Sequence, residues 1–375
     1  MSNYIRWIMQ FWIVNIICGF CVSAMLAGII IPQILLIAFR KSLFDEPGER
    51  KIHHIPVPRL GGLAFTPVIF FTMALMIGVN QYLGHSEVLR EFARNVNVLS
   101  MSLCSLTALY LVGIADDLIG VRYRAKFVVQ ILCGLFLVGA GIWVRSFYGF
   151  CGLNDLNIWF GGALAVVLVV FIINAINLID GVDGLASGLS AVACLYYGIL
   201  FFQLKQYTFA TIAFVTLGVI VPFFYYNVFG NAEKQKKIFM GDTGSLTIGI
   251  ILSLLSIKIT TIPAHGIIWS YNPLVVAFAP LMIPCLDVLR VFFHRIRNGR
   301  DPFLPDNNHI HHKLLALGIN SRMTMILIVF SSFVLSLINL FVSQYIDIHI
   351  LLLLNFALYG GVNMYLTRKI KNKNG

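Results

Sequence analysis

Eleven runs of about 20 residues, each nearly free of charge, succeed one another along this chain and leave it few ways to fold. They lie near 11 to 39, 60 to 79, 97 to 115, 126 to 144, 158 to 174, 184 to 203, 208 to 226, 244 to 262, 272 to 293, 323 to 343 and 348 to 367. A run of that length crosses the hydrocarbon of a bilayer as a helix, because lipid offers no partner to a backbone N–H or C=O. The expected fold is all-α, a polytopic integral membrane protein of about eleven transmembrane helices. Of 375 residues, 59% are hydrophobic and 11% charged, more apolar than a soluble core of this size requires. The first run of about 29 residues exceeds a signal-peptide core and lacks a clear cleavage site, so it reads as a retained span. No repeat, low-complexity tract or linker divides the chain, and residues 1 to 375 read as one membrane-embedded domain.

Lys and Arg divide 21 to 6 between the two sides of these spans. The positive-inside rule puts the rich side in the cytoplasm, the N-terminus outside and the C-terminus inside. Much of the net charge of +11 is this bias, so it is no sign of nucleic-acid binding. Cys18 and Cys21 share a CxxC spacing, but no second pair lies nearby to complete a metal site. Asp116, Asp117, Asp180, Asp183, Asp242, Asp301, Asp306, His309, His311 and His312 all map to cytoplasmic helix ends and loops, within 40–59, 116–126, 174–184, 227–245 and 294–322. The outer loops hold Glu87, Glu91, Asp155 and Asp347, in no motif.

From Asn174 to Gly184 the chain reads Asn-Ala-Ile-Asn-Leu-Ile-Asp-Gly-Val-Asp-Gly, with Asn174, Asn177, Asp180 and Asp183 at three-residue spacing. Such polarity at membrane depth is costly and marks a cavity or an ion. A helical step of three residues drifts by about 60°, so the four cannot share one face. The ladder is expected to bend at Gly181 and Gly184, turning Asp180 and Asp183 back toward Asn177. The helix opened by the bend would offer an anion its free N–H groups and its dipole. Phe239-Met-Gly-Asp-Thr-Gly-Ser245 is a second glycine-rich helix start, with Asp242 inside it and Lys234, Lys236 and Lys237 before it. Two such starts at one interface suit a diphosphate and a divalent ion, since Mg²⁺ takes one or two protein ligands and shares substrate oxygens. The Lys run is accounted for by topology.

Asp116 and Asp117 close the third run and face Arg122, Arg124 and Lys126; a solvated helix end gives the same pattern. His294-Arg-Ile-Arg-Asn-Gly-Arg300 supplies guanidinium groups for phosphate oxygens. His309-Ile-His-His312 follows, and with no cysteine near it the carboxylates favour a hard ion over zinc. Asp287 and Arg290 read as a structural pair.

Together these motifs resemble the polyprenyl-phosphate N-acetylhexosamine-1-phosphate transferases, a family of integral membrane enzymes. The resemblance runs from Asp45 to His312 and rests on Arg50-Lys-Ile-His-His-Ile-Pro-Val-Pro-Arg-Leu-Gly-Gly62, Asp116-Asp117, Asn174 to Ala186, Phe239 to Ser245 and His309 to His312, in the family's order. His-Ile-His-His looks like the bacterial branch that makes undecaprenyl-diphospho-GlcNAc for O-antigen, common antigen or teichoic acid linkage. The peptidoglycan branch, which transfers phospho-N-acetylmuramoyl-pentapeptide, usually shows three consecutive histidines and is the alternative.

By this resemblance a UDP-N-acetylhexosamine binds on the cytoplasmic face of the bacterial inner membrane. Undecaprenyl phosphate attacks the β-phosphorus and UMP leaves. Asp242 and Asn177 match positions that hold Mg²⁺, with Mn²⁺ as an alternative. Phe239 matches an aromatic that stacks on uracil, Asp180 and Asp183 match nucleotide-site acids, and Lys126 and Arg300 match cations on phosphates. Asp116 and Asp117 match acids implicated in activating the lipid phosphate or shaping the metal site. His309, His311 and His312 match a segment near the sugar and diphosphate. Members often dimerise, which extends to a homodimer here, although no stripe marks an interface. Two rivals remain: a nucleotide-sugar transporter, which calls for acids near mid-span or inverted repeats, and a non-catalytic assembly factor, which leaves the carboxylate motifs unexplained.

Overall fold

The computed structural model describes residues 2–43, 57–262, 271–299, 301 and 308–374. Arg300, and the part of the 50–62 motif before Val57, lie outside the described residues. The helices in chain order are α1 (Ser2–Arg40), α2 (Phe65–Tyr82), α3 (Ser86–Arg94), α4 (Val96–Ile119), α5 (Tyr123–Gly139), α6 (Ile158–Ile179), α7 (Leu185–Gln203), α8 (Tyr207–Val228), α9 (Gly241–Thr260), α10 (Pro273–Phe278), α11 (Met282–Arg297), α12 (Ile310–Ala316), α13 (Ser321–Val342) and α14 (Ile348–Asn374). Among the described residues no strand forms, and a lone bridge joins Ser146 to Asp155.

Ten segments among the described residues are long and apolar enough to cross a membrane, so the all-α polytopic expectation holds. The crossing expected at 126 to 144 is α5, whose 17 residues sit at the lower limit for a span. It stops at Gly139, and the chain turns at Gly141, where φ is 87°. The single helix expected at 272 to 293 is broken. Pro280 and Pro284 lack the N–H a continuous helix would use, and α10 meets α11 through a 3₁₀ turn at Ala279–Leu281. The amphipathic α3 has no counterpart among the expected spans.

The axis of the bundle is α9, which packs against α4, α6, α7 and α10. Every residue from Thr243 to Ile257 is buried, as expected of a helix apolar on all sides. Its Gly244, Ser245, Gly249 and Ser253 are small enough for neighbouring backbones to approach closely. At the rim, α1, α13 and α14 turn Ile29, Phe330 and Leu353 outward, each more than half exposed, where lipid replaces water. Buried amides close on each other: Asn80 donates to Asn15 at 2.6 Å, joining α2 to α1. Asn339 and Asn355 exchange bonds of 3.1 and 2.7 Å between α13 and α14. Because successive helices reverse direction, the ends of α4, α6 and α8 and the starts of α5, α7 and α9 share one face.

Candidate active site

On that face α9 starts against the end of α4. Gly241 has φ +70°, and a Cβ there would lie 2.6 Å from Asp117 Oδ2 and collide with Arg59 O, so the turn requires glycine. The close approach lets Asp117 accept the backbone N–H of Asp242 on Oδ1 at 2.7 Å. On Oδ2 it accepts the Thr243 N–H at 2.9 Å and the Thr243 hydroxyl at 2.6 Å. It is an N-cap lent by another helix. The preceding strand-like segment is braced too, with Phe239 N donating to Pro58 O, Gly61 N to Phe239 O and Gly62 N to Met240 O, each at 2.9 Å.

This corrects one expectation from the sequence. The N–H groups at the start of α9 are spent on Asp117. At the start of α7, Gly184 N donates to Asn227 Oδ1 at 2.6 Å and Leu185 N to Val182 O at 3.0 Å, and the first turn is buried. The N–H groups of Gly184, Leu185, Asp242 and Thr243 are thus engaged within the protein, and the side-chain cations of this face, Lys126 and Lys237, are better placed to meet phosphate.

Lys126, from the first turn of α5, bridges Asp242 Oδ2 at 2.7 Å and Asp116 Oδ2 at 2.9 Å. Asp116 Oδ1 is held by Val121 N at 2.6 Å. From α6, Asn177 donates its amide N–H to Asp242 Oδ1 at 3.0 Å and to Ser245 Oγ at 2.8 Å. Lys126, Asp116, Asp242 and Asn177 therefore form one cluster. Asn174, three residues earlier, turns instead to Gln130 at 2.7 Å.

The expected bend is present. The helix α6 runs through Asn177 and ends at Ile179, and Gly184 takes φ 77° before α7. At the bend, burial pushes the Asp180 carboxyl up to about 7, helped by the neighbouring charges of Asp242 and Asp183. Asp183 pairs with Lys237 at 2.6 Å, and the Lys237 ammonium stands 5.9 Å from the Phe239 ring centroid. Lys237, placed by the sequence in a topological lysine run, thus belongs to the site.

The histidine run packs against the bend at Gly181. His311 is buried, and neither ring nitrogen has a hydrogen-bond partner among the described residues. A Cβ on Gly181 would collide with its Nε2. Burial, with His312 and His309 close by, pushes His311 down to about 3, so the ring is a neutral donor–acceptor beside the acids. Its ring stacks on His309 at 5.7 Å and lies 4.2 Å from that of His312.

Among the described residues no three His, Cys, Asp or Glu side chains gather on one point. The cluster offers oxygen donors, Asp116 and Asp242, and an Asn177 amide whose oxygen its two donated bonds leave over. The Lys126 ammonium already stands as a cation between the carboxylates. These residues fit a hard divalent ion that takes its remaining ligands from water and phosphate oxygens.

Comparison with known proteins bears on the same residues. Residues 98–260 match the model of glycosyl transferase family 4. Over 332 residues the chain is 31% identical to the undecaprenyl-phosphate alpha-N-acetylglucosaminyl 1-phosphate transferase of Yersinia pestis, covering 86% of this chain and 85% of that one. The chain belongs to glycosyl transferase family 4. The protein of the same name from Escherichia coli K12 is 30% identical over 86% of this chain and 84% of its own length. A probable undecaprenyl-phosphate N-acetylglucosaminyl 1-phosphate transferase of Bacillus subtilis is 29% identical over the same shares. The matched family 4 region contains Asp116, Asp117, Lys126, Asn177, Asp180, Asp183, Phe239 and Asp242, and stops short of the histidine run.

Proposed function

We propose that this family 4 protein transfers N-acetylglucosamine 1-phosphate from UDP-GlcNAc to undecaprenyl phosphate at the cytoplasmic face of the bacterial inner membrane, releasing UMP. The observation that carries this reading is the Lys126 bridge between Asp116 and Asp242, on the face that also carries the Asp183–Lys237 pair and the bend against which His311 packs. The names of the relatives supply the acceptor and the sugar.

Phosphoryl transfer asks for alignment and neutralised charge more than for covalent participation. The acceptor phosphate oxygen bonds to the β-phosphorus of the donor as the β-phosphorus bond to the bridging oxygen breaks, and that oxygen leaves on UMP. Phe239 offers a ring for uracil to stack on, with the Lys237 ammonium, paired to Asp183, over that ring. Lys126 is placed to exchange its carboxylate partners for diphosphate oxygens. His311, whose ring nitrogens have no hydrogen-bond partner among the described residues, contributes a nitrogen against Gly181 for a sugar or phosphate oxygen. Asp242, Asp116 and Asn177 would hold Mg²⁺, which supplies Lewis-acid neutralisation of phosphate charge when bound. The acceptor is already anionic, so no strong base is required. Asp117, committed to three donors at the start of α9, is better suited to shaping the metal site than to proton abstraction.

With detergent-solubilised protein, UMP release from UDP-GlcNAc that depends on added undecaprenyl phosphate is the expected result. No release with any UDP-N-acetylhexosamine would favour the transporter reading.

A further inference from the structure

On α11, Asp287 has a relative exposure of 0%, yet it gathers donors from three elements. Arg290 Nη2 and the Tyr359 hydroxyl on α14 reach Oδ1 at 2.9 and 2.8 Å. His309 Nδ1 lies 2.8 Å from Oδ2, and Ile310 N donates to Oδ1 at 3.1 Å. Arg290 also donates to Asn308 O. The entry to α12 is therefore held at the Asn308 carbonyl, the His309 ring and the Ile310 N–H. A structural Asp287–Arg290 pair, as the spacing alone implied, leaves the bonds to His309, Ile310 and Tyr359 without a role.

A carboxylate can only accept at His309 Nδ1, so the proton sits on that nitrogen. In the neutral ring Nε2 is then the lone-pair atom. From His309 the stacked rings lead to His311, which rests on Gly181 next to Asp180. The result is a continuous run of contacts from α14 through Asp287 to the acid bend.

We propose that Asp287 is a positioning residue for the transfer reaction: it fixes the Nδ1–H tautomer of His309, seats the histidine run against the Asp180 bend, and ties that seat to α14 through Tyr359. The proposal rests on the histidine run serving the transferase site described above.

The test uses the full chain in detergent with ¹⁵N-labelled histidine, the His309 signals being identified by their loss in H309Q. Wild type is expected to show the Nδ1–H tautomer. In D287N the amide can donate to Nδ1, so the Nε2–H tautomer should gain. With UDP-GlcNAc, kcat should then fall more than about a hundredfold while KM stays within about threefold, as when a triad aspartate is lost. Y359F should keep the tautomer and lose about three- to tenfold in kcat. D287N that keeps both the Nδ1–H tautomer and its kcat per folded molecule overturns the proposal. If D287N does not fold, D287E decides: the Nδ1–H tautomer with partial kcat supports it, and the Nε2–H tautomer with full kcat overturns it. The tautomer is read without substrate, so a wild type that releases no UMP counts against the transferase reading alone.

Discussion

Asp117 Oδ1 accepts the backbone N–H of Asp242 at 2.7 Å, so one acid of the α4 pair holds in place the helix that presents another. Together with the two Thr243 bonds, this makes Asp117 a cap. D117A should cost about 2 kcal/mol, and D117N, which keeps one acceptor, less. Thermal denaturation with hydrogen exchange at the Asp242 and Thr243 amides reads this directly. Unchanged melting and exchange in D117A would remove the capping role.

For D242A we expect Mg²⁺-dependent transfer to fall by more than about a hundredfold, on the order of 3 kcal/mol in barrier. The loss should exceed any change in melting temperature, because the Asp242 side chain faces Lys126 and Asn177 and is not part of the core. Near-normal turnover in purified D242A would sink the metal assignment.

The Asp180 carboxyl, raised to about 7 by burial and the acids around it, gives a pH dependence of definite sign. Below that pH it is protonated and no longer adds its negative charge beside Asp242 and Asp183, which weakens the pull on a divalent ion. Apparent metal affinity should therefore rise with pH from about 6 to 8, and D180N should flatten the rise. Without the ion, the folded chain binds this proton more tightly than the unfolded chain does, so stability falls as pH rises from about 4 toward 7. Calorimetric metal titrations giving one affinity across that range would contradict the assignment.

How far the site could be read in advance differs from residue to residue. Asp116, Lys126, Asn177 and Asp242 gather because alternating spans bring their ends to one face, and span counting finds that. The bend after Ile179 follows from Gly181 and Gly184. Pattern fails where direction matters. Asp116 and Asp117 are adjacent, but a helical step of about 100° sends one to Lys126 and the other to the start of α9. The even ladder from Asn174 to Asp183 likewise scatters to Gln130, Asp242 and Lys237, because each side chain takes the neighbour its own face meets. Tyr359 sits in an apolar run beyond every motif, and only packing of α14 on α11 brings it to Asp287.

Gly181 leaves no room for a Cβ against His311, so G181A should displace that ring. We expect turnover to drop about tenfold or more, with the G181A and H311A effects strongly non-additive in a double-mutant cycle. Additive losses would show that the two residues act separately.

Lys237 neutralises Asp183 beside the Phe239 ring. K237M should raise KM for the UDP-sugar about tenfold with a smaller change in kcat, the pattern of lost uniform binding. A kcat defect at unchanged KM would move Lys237 from donor binding to the reaction itself.

The lipid product reports the transfer most directly. Purified protein given undecaprenyl phosphate and Mg²⁺ with either UDP-GlcNAc or UDP-N-acetylmuramoyl-pentapeptide, analysed by mass spectrometry, should yield undecaprenyl-diphospho-GlcNAc from the first and nothing from the second. Product from the pentapeptide donor alone, or from neither, would contradict it.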